Sequence, residues 1–426
     1  MNKMTWMAKH ISTLRWIALI WIALVPPTHA QPLVILTTFS EKPVSALVAD
    51  FNRQHPDIDV NIVYRRTEPA IRLMNNSSLF DVDLVLSSSA PFFNTLREKS
   101  LLRKPETLTR QLPQWLEPHT LDLGDDVVTI AYSGLGIMYK TDYLERYQLP
   151  VPSRWEDLAD PVFFRHIMMS TPTQSGTTHV MVESILENYG WEQGWALLMK
   201  IGGNLASLAA RSFGVSDGIA RGLVGAGPVI DNYAFNSQKY FNNVGFSYLQ
   251  NTALLPTYIG LTKSGKSRHA SEAFIRYLLS ESGQQVLDDG DMEKAPLNQP
   301  ALAQKTTFTL NSETLYRRQE LVKALFDTVI TDHLPLINDA WQAIYSAEAR
   351  GVDSDVINEA KRLASTVPVT AEMASDPTIL KLFQSEDRRR RLPSGGLTLL
   401  LEWQEQVDIN LKQAIALAGN ATAQED

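Results

Sequence analysis

The sequence predicts an α/β fold organised around parallel sheet and continued by a helical C-terminal region. Three observations lead there. Short apolar runs, Leu33–Leu36 first among them, stop at hydroxyl residues, as a buried parallel strand does where it meets a loop. Segments with helical apolar spacing alternate with these runs through short connections, the pattern of right-handed crossovers in parallel sheet. Beyond Leu310 the pattern turns almost wholly helical, broken near Pro368, Pro377 and Leu392–Gly396.

The first strand is predicted at Leu33–Leu36, with Thr37–Ser40 as its polar stop. "KPVSALVADFNRQHP" follows, with Val44, Leu47, Val48 and Phe51 on one helical stripe. Ile58–Tyr64 is the second strand, Pro69–Asn75 the next helix, and "DVDLVLSSSA" a third strand running into Ser87–Ser89. Ligands of such sheets sit beyond the carboxyl ends of the strands, the edge on which these hydroxyls fall. A second α/β unit follows Val127–Lys140, a long strand with a glycine-softened turn. "HIMMSTPT" is predicted as a strand, and Thr177–Tyr189 and Trp191–Ile201 as helices. Gly227–Phe235 is read as a strand ending in polar groups, and Val244–Lys263 as a strand pair returning to the first unit. Ser271–Leu287 is a helix pair. No internal repeat or low-complexity linker is present, so the helical tail is expected to pack on the body.

Composition narrows the setting. Lys3, Lys9 and Arg15 precede the apolar run Trp16–Val25, and "PPTHA" ends in Ala30 with Thr28 two positions before it. That run is shorter than the about 20 residues needed to cross a bilayer, so residues 1–30 read as a cleaved signal peptide. With no cysteine anywhere, lipid attachment, disulfides, thiolate metal sites and a cysteine nucleophile are excluded, and a periplasmic location fits best. The 396 residues that remain are enough for two or three domains. Their net charge falls from −8 to −11 on loss of the three basic residues, which argues against nucleic acid or anionic membrane as partner. "RRRR" (Arg388–Arg391) is a local exception, read as a solvated helix end.

Three segments in order resemble the type II periplasmic solute-binding proteins, in the branch of ferric-ion and organophosphate binders. Leu149–Asn204 carries the tryptophan–"DL"–proline block, a strand, the "P..SGT" turn and a helix. Val215–Phe235 ("VSDGIARGLVGAGPVIDNYAF") is similar to the helix and strand leading into that family's ligand loop. His269–Leu287 ("HASEAFIRYLLSESGQQVL") is similar to its "A..FI.YLLS..GQ" helix. The resemblance implies a two-lobed, hinged molecule with crossover strands between the lobes, closing over a small ligand. It places the first lobe at 31–130, the second at 131–243, a return to the first at 244–309 and a helical extension at 310–426. The implied ligand is a small anion, a phosphorylated acid resembling phosphoglycerate. The implied partner is a membrane sensor kinase or an ABC permease, with the chain acting as a monomer and without a cofactor.

"MSTPTQSGTTHV" (Met169–Val180) gathers six hydroxyl residues around Gly176 at the mouth of a helix. A catalytic serine, an anion cradle and a plain helix cap are the alternatives. A helix start leaves four N–H groups unpaired and carries about half a positive charge. Gly176 admits a ligand close to the backbone, and Ser175, Thr177 and Thr178 add donors, so the turn suits phosphate or carboxylate. A cap needs one hydroxyl rather than six.

Convergence at the strand ends adds Thr38, Ser40, Ser88 and Ser89. Arg65 and Arg66 follow the second strand, and adjacent extended residues point oppositely, so Arg66 is taken as the cleft cation. Arg211 and Lys263 rank below it. Asp231 and Tyr233 close the list, Asp231 as acceptor for a ligand hydroxyl or as a loop cap.

Two other functions compete. Ferric-ion relatives use adjacent tyrosines near Tyr233, but this chain has no Tyr-Tyr pair, and hard Fe(III) wants several anionic oxygens. His179 and Glu183 stand four apart on a helix, short of a zinc site, and no metal is expected. A serine-type hydrolase would use Ser175 or Ser88, but "QSGTT" is not a nucleophile elbow and no base can be assigned, so catalysis is not expected.

Overall fold

The computed structural model describes residues 31–75, 81–106, 113–119, 123–250, 253–290, 292–299, 302, 308–384 and 392–420. The signal-peptide reading of 1–30 and the Arg388–Arg391 reading lie outside them. Strand β1 (Leu33–Thr37) leads to helix α1 (Glu41–Gln54), β2 (Val60–Tyr64), α2 (Thr67–Asn75), β3 (Leu84–Ser87), α3 (Ala90–Glu98) and the short β4 (Leu102–Arg103). Strands β2, β1 and β3 are parallel neighbours, as the alternating pattern requires. The apolar stripe of α1 (Val44, Leu47, Val48, Phe51) is buried against them in a core shared with Phe274 and Leu278.

Strand β5 (Val127–Lys140) is the organising element. Its first half pairs antiparallel with β10 (Leu254–Thr262), which continues the first sheet onto β3. Its second half, from Leu135, pairs with β8 (Ala226–Ile230) on one side and β9 (Val244–Tyr248) on the other. One uninterrupted strand therefore serves two sheets, in place of the expected glycine turn. Gly136 is needed there for close approach: a Cβ would run into the Phe246 ring and the Ser247 carbonyl of β9.

The second sheet continues from β8 to β6 (Ile167–Ser170) and β7 (Leu205–Ala209), all parallel. Between the strands run α4 (Thr141–Tyr147), α5 (Trp155–Leu158), α6 (Gly176–Tyr189), α7 (Trp191–Asn204), α8 (Ser212–Ala220) and α9 (Asp231–Tyr240). Two expectations change here. The Gly227–Phe235 strand stops at Ile230 and a helix starts at Asp231. The pair expected over Val244–Lys263 is split, since β9 stays on the second sheet and only β10 joins the first.

Helices α10 (Arg268–Leu279) and α11 (Glu281–Asp289) cover the first sheet. The remaining helices are α12 (Ser312–Phe326), α13 (Leu334–Ala349), α14 (Ser354–Ser365), α15 (Pro377–Phe383) and α16 (Ser394–Asn420), with a π-helical turn at Asp327–Thr331. They share one buried core with α6 and α7, through Trp195, Leu198, Phe326, Ile330 and Trp341 among others. Trp341 lies against Gly203, and Asn338 Nδ2 donates to the Gly203 carbonyl at 2.8 Å.

Candidate ligand-binding cleft

Strands of both sheets point their carboxyl ends at one cleft of about 580 Å³, counting its open mouth. From the first sheet come Thr38 and Phe39 after β1, Tyr64 at the end of β2 with Arg66 and Thr67 beyond it, and Ser87 at the end of β3 with Ser88 and Ser89 beyond it. From the second come Gln174–Thr177 after β6, Arg211–Phe213 after β7, and Ile230 and Tyr233 around the end of β8. Helices α2, α3, α6, α8 and α9 all begin at this rim, where Ser89, Ser175 and Asp231 each already accept from one first-turn N–H of α3, α6 and α9. Among the described residues, the lining holds two guanidinium groups and no carboxylate. Such a surface favours anions.

Local chemistry explains each placement. Ser175 caps α6, its Oγ accepting from the Thr178 N–H at 3.2 Å, and pairs with Ser212 Oγ at 2.5 Å where α8 starts. Ser89 caps α3 by accepting from the Phe92 N–H. Ser88 Oγ pairs with Thr257 of β10 at 2.9 Å, and Thr38 Oγ1 with Ser87 Oγ at 2.6 Å. Arg211 Nη1 donates to Tyr64 Oη at 2.8 Å, with its guanidinium 5.1 Å from the Phe213 ring centre. Arg66 Nη1 reaches Gln174 Oε1 at 3.4 Å. Both arginine contacts join the two sheets' loops across the cleft. Burial pushes the Tyr233 phenol up to about 12, with Tyr64 adding to the rise and Arg211 opposing it, so it is a hydrogen-bond donor at neutral pH.

Of the residues singled out in the sequence, Thr38, Arg66, Ser88, Ser89, Ser175, Gly176, Thr177 and Tyr233 line the cleft, as does the lower-ranked Arg211. Ser40, Thr178, Asp231 and Lys263 do not. Ser40 is exposed at the start of α1. Thr178 is wholly buried, and its hydroxyl pairs with Ser170 of β6. Asp231 is turned inward by the helix that starts there: its carboxylate accepts from the Gly134 N–H at 2.7 Å and from Tyr248 Oη at 3.2 Å. Lys263 is exposed beyond β10.

Sequence reasoning missed Tyr64, Thr67, Gln174, Ser212 and Phe213. The strand-end rule that found Thr38 also reaches Tyr64 and Thr67. Ser212 and Phe213 follow β7, a strand that went unread because only Leu205 of its five residues is buried.

The comparisons with known proteins agree with this geometry. A family model described as bacterial extracellular solute-binding protein matches residues 34–290. The chain belongs to that family. A relative of this solute-binding protein, the phosphoglycerate transport regulatory protein PgtC of Salmonella typhimurium, is 35% identical over 387 residues, 88% of this chain and 94% of that one. A match of that span runs well into the helices beyond residue 290.

Among solved structures, the periplasmic binding protein AfuA from Actinobacillus pleuropneumoniae, with fructose-6-phosphate bound, superposes with a TM-score of 0.64 at 14% identity. It covers 70% of this chain and 98% of its own. Iron-bound HitA from Pseudomonas aeruginosa gives 0.56 at 18% identity, over 68% and 98%. These likenesses identify the fold as the two-lobed one of periplasmic binding proteins. Among the described residues no helix is long and apolar enough to cross a membrane.

Proposed function

We propose that this solute-binding protein works in the periplasm, closing its two lobes over a small phosphorylated carboxylic acid of the phosphoglycerate type without transforming it. The observation that carries this reading is the cleft's charge pattern: five helix starts and two arginines, with no carboxylate among the described lining residues. Two separated cations, Arg66 on the first lobe and Arg211 on the second, suit a ligand with an anionic group at each end. The PgtC relative supports the same ligand class.

Closure is the output. Arg66–Gln174 and Arg211–Tyr64 link the lobes, so a ligand that adds contacts across them shifts the open–closed equilibrium by its differential affinity. The closed surface then meets a membrane sensor kinase or an ABC permease, the protein itself acting as a monomer. Catalysis is not part of the reading, because the hydroxyls of Ser175 and Ser88 pair with Ser212 and Thr257 rather than with a base.

One observation favours a ferric ligand instead: Tyr64 and Tyr233 both line the cleft. Two guanidinium groups beside them oppose a bare trivalent cation but admit an iron–carboxylate chelate. Isothermal titration of the protein against 3-phosphoglycerate, phosphoenolpyruvate, hexose phosphates and ferric citrate separates the two. Saturable binding of 3-phosphoglycerate or phosphoenolpyruvate without phosphate release is expected; binding of ferric citrate alone, or turnover, overturns the proposal.

A further inference from the structure

We infer that the C-terminal helices are a working part of the ligand site, with Asp327 as the residue that positions the turn Thr171–Thr177. The inference rests on the reading of that turn as the ligand cradle. The family match ends at residue 290, so the helices in question lie beyond what the family model describes.

The contact is direct. Thr173, in the middle of the turn, donates through Oγ1 to Asp327 Oδ2 at 2.5 Å. The other carboxylate oxygen of Asp327 accepts from Thr331 Oγ1 at 2.9 Å. Both oxygens are thus engaged, one holding the π-helical turn Asp327–Thr331 and one holding the ligand turn. π-turns are costly interruptions of a helix and recur at functional positions. Here the interruption seats Ile330 against Gly202 of α7.

The rest of α12 is laid along α6, whose first turn is the cradle. The contacts occur in reverse order, as in an antiparallel pair. The Asn311 N–H donates to Glu187 Oε2 at 2.9 Å near the end of α6. Arg318 Nη2 donates to the buried Glu183 at 2.6 Å in its middle. Asp327 then meets Thr173, just before it. The cradle helix is therefore held along its whole length by the extension, and the turn that caps it is held from outside the cleft. Asp327 itself is not among the cleft-lining residues, so it acts through Thr173 rather than on the ligand.

Hydrogen exchange on the full chain without ligand tests this. The reporting amides are Gln174 and Ser175, which donate to the Thr171 carbonyl, and Thr178 and His179, which donate to Ser175. Asp327→Ala and Thr173→Val are each expected to speed their exchange roughly fivefold to tenfold, the worth of one hydrogen bond, and to leave Leu186–Asn188 unchanged. The double variant should be no faster than either single one. Dissociation constants for 3-phosphoglycerate should rise by a similar factor in both, and Asp327→Glu should recover part of the loss.

Should Asp327→Ala loosen the whole chain, Thr173→Val decides, since it changes one hydroxyl to a methyl. Unchanged exchange of these amides in Thr173→Val overturns the inference. If native protein fails to bind 3-phosphoglycerate, the ligand class proposed above is wrong, while the exchange result still decides the positioning role.

Discussion

Gly176 and Ser89 face each other across the cleft as the starts of two opposed helices, α6 and α3. A Cβ placed on Gly176 would lie 2.7 Å from Ser89 Oγ and 3.2 Å from Ser89 Cβ. The absence of a side chain thus sets how closely the lobes can approach. Gly176→Ala is expected to weaken 3-phosphoglycerate binding about tenfold and Gly176→Val more, in line with the cost of overpacking. Adding Ser89→Gly to Gly176→Ala should restore most of the affinity, because glycine at a cap position loses only a few tenths of a kcal/mol. Titration calorimetry reads this, and the thermal midpoint should not fall in Gly176→Ala. Equal binding by Gly176→Val and native protein would remove the cradle from the site.

The two arginines are predicted to differ. Arg211 is held by Tyr64 Oη at 2.8 Å and by the Phe213 ring, whereas Arg66 makes a long 3.4 Å contact with Gln174. A pre-oriented guanidinium loses less freedom on binding an anion, so Arg211→Ala should cost more than Arg66→Ala, about 10- to 100-fold in affinity. Arg211→Lys should recover little, since a lysine cannot offer the planar pair of donors. Competition binding against phosphoenolpyruvate measures the order; a larger loss in Arg66→Ala reverses it.

Much of this arrangement was legible in the sequence, for identifiable reasons. Leu33–Leu36 and Leu84–Leu86 are continuous apolar runs ending in hydroxyls, and both are parallel strands whose ends line the cleft. The TPTQSGTT turn could be placed at the cleft because capping and close approach each demand a residue type found there, Ser175 and Gly176.

The failures have separate causes. "PVIDNYAF" looks like one strand, because nothing in its apolar spacing marks the change to helix at Asp231, whose carboxylate accepts from the distant Gly134 N–H. Thr178 sits three residues beyond Ser175, and helical rotation turns its hydroxyl onto Ser170. Lys294 gave no signal at all, yet it is fully buried where β5 passes from one sheet to the other.

That lysine makes a testable pair with Asp231. Its Nζ donates to Ser133 Oγ at 2.8 Å and Asn232 Oδ1 at 3.3 Å, where β5 passes from one sheet to the other. Burial lowers its pKa to about 8, against the pull of Asp231, and burial raises that of Asp231 against the pull of Lys294. The unfolded chain binds the Lys294 proton more tightly than the native one, so this group makes native protein less stable at neutral pH. The penalty fades as pH rises from about 8 towards the ordinary lysine range. Relative to Lys294→Met, native protein should therefore gain up to about 2 kcal/mol between pH 7.5 and 9.5. Urea midpoints at the two pH values test this; a constant difference refutes it.

The Glu183–Arg318 pair that clamps α12 to α6 titrates in the other direction. Burial alone would raise the Glu183 carboxyl, but His179 and Arg318 outweigh it and hold it below its ordinary value. Glu183 Oε2 accepts from Arg318 Nη2 at 2.6 Å and Nε at 3.0 Å, and His179 Nε2 stands 3.6 Å from Oε1. Removing the guanidinium leaves a carboxylate buried without its main partner, so Arg318→Met should cost about 3–5 kcal/mol. Glu183→Gln combined with Arg318→Met removes both charges and should cost clearly less than Arg318→Met alone. Because the native carboxyl pKa is depressed, its contribution is full above the ordinary carboxylate range and is lost as pH falls through the native value. The gap between native protein and Arg318→Met should accordingly be widest near pH 7 and narrow towards pH 4, where Glu183 takes up a proton in the variant. Denaturant unfolding across that range reads the gap, and a gap that widens on acidification would show that the pair does not carry the clamp.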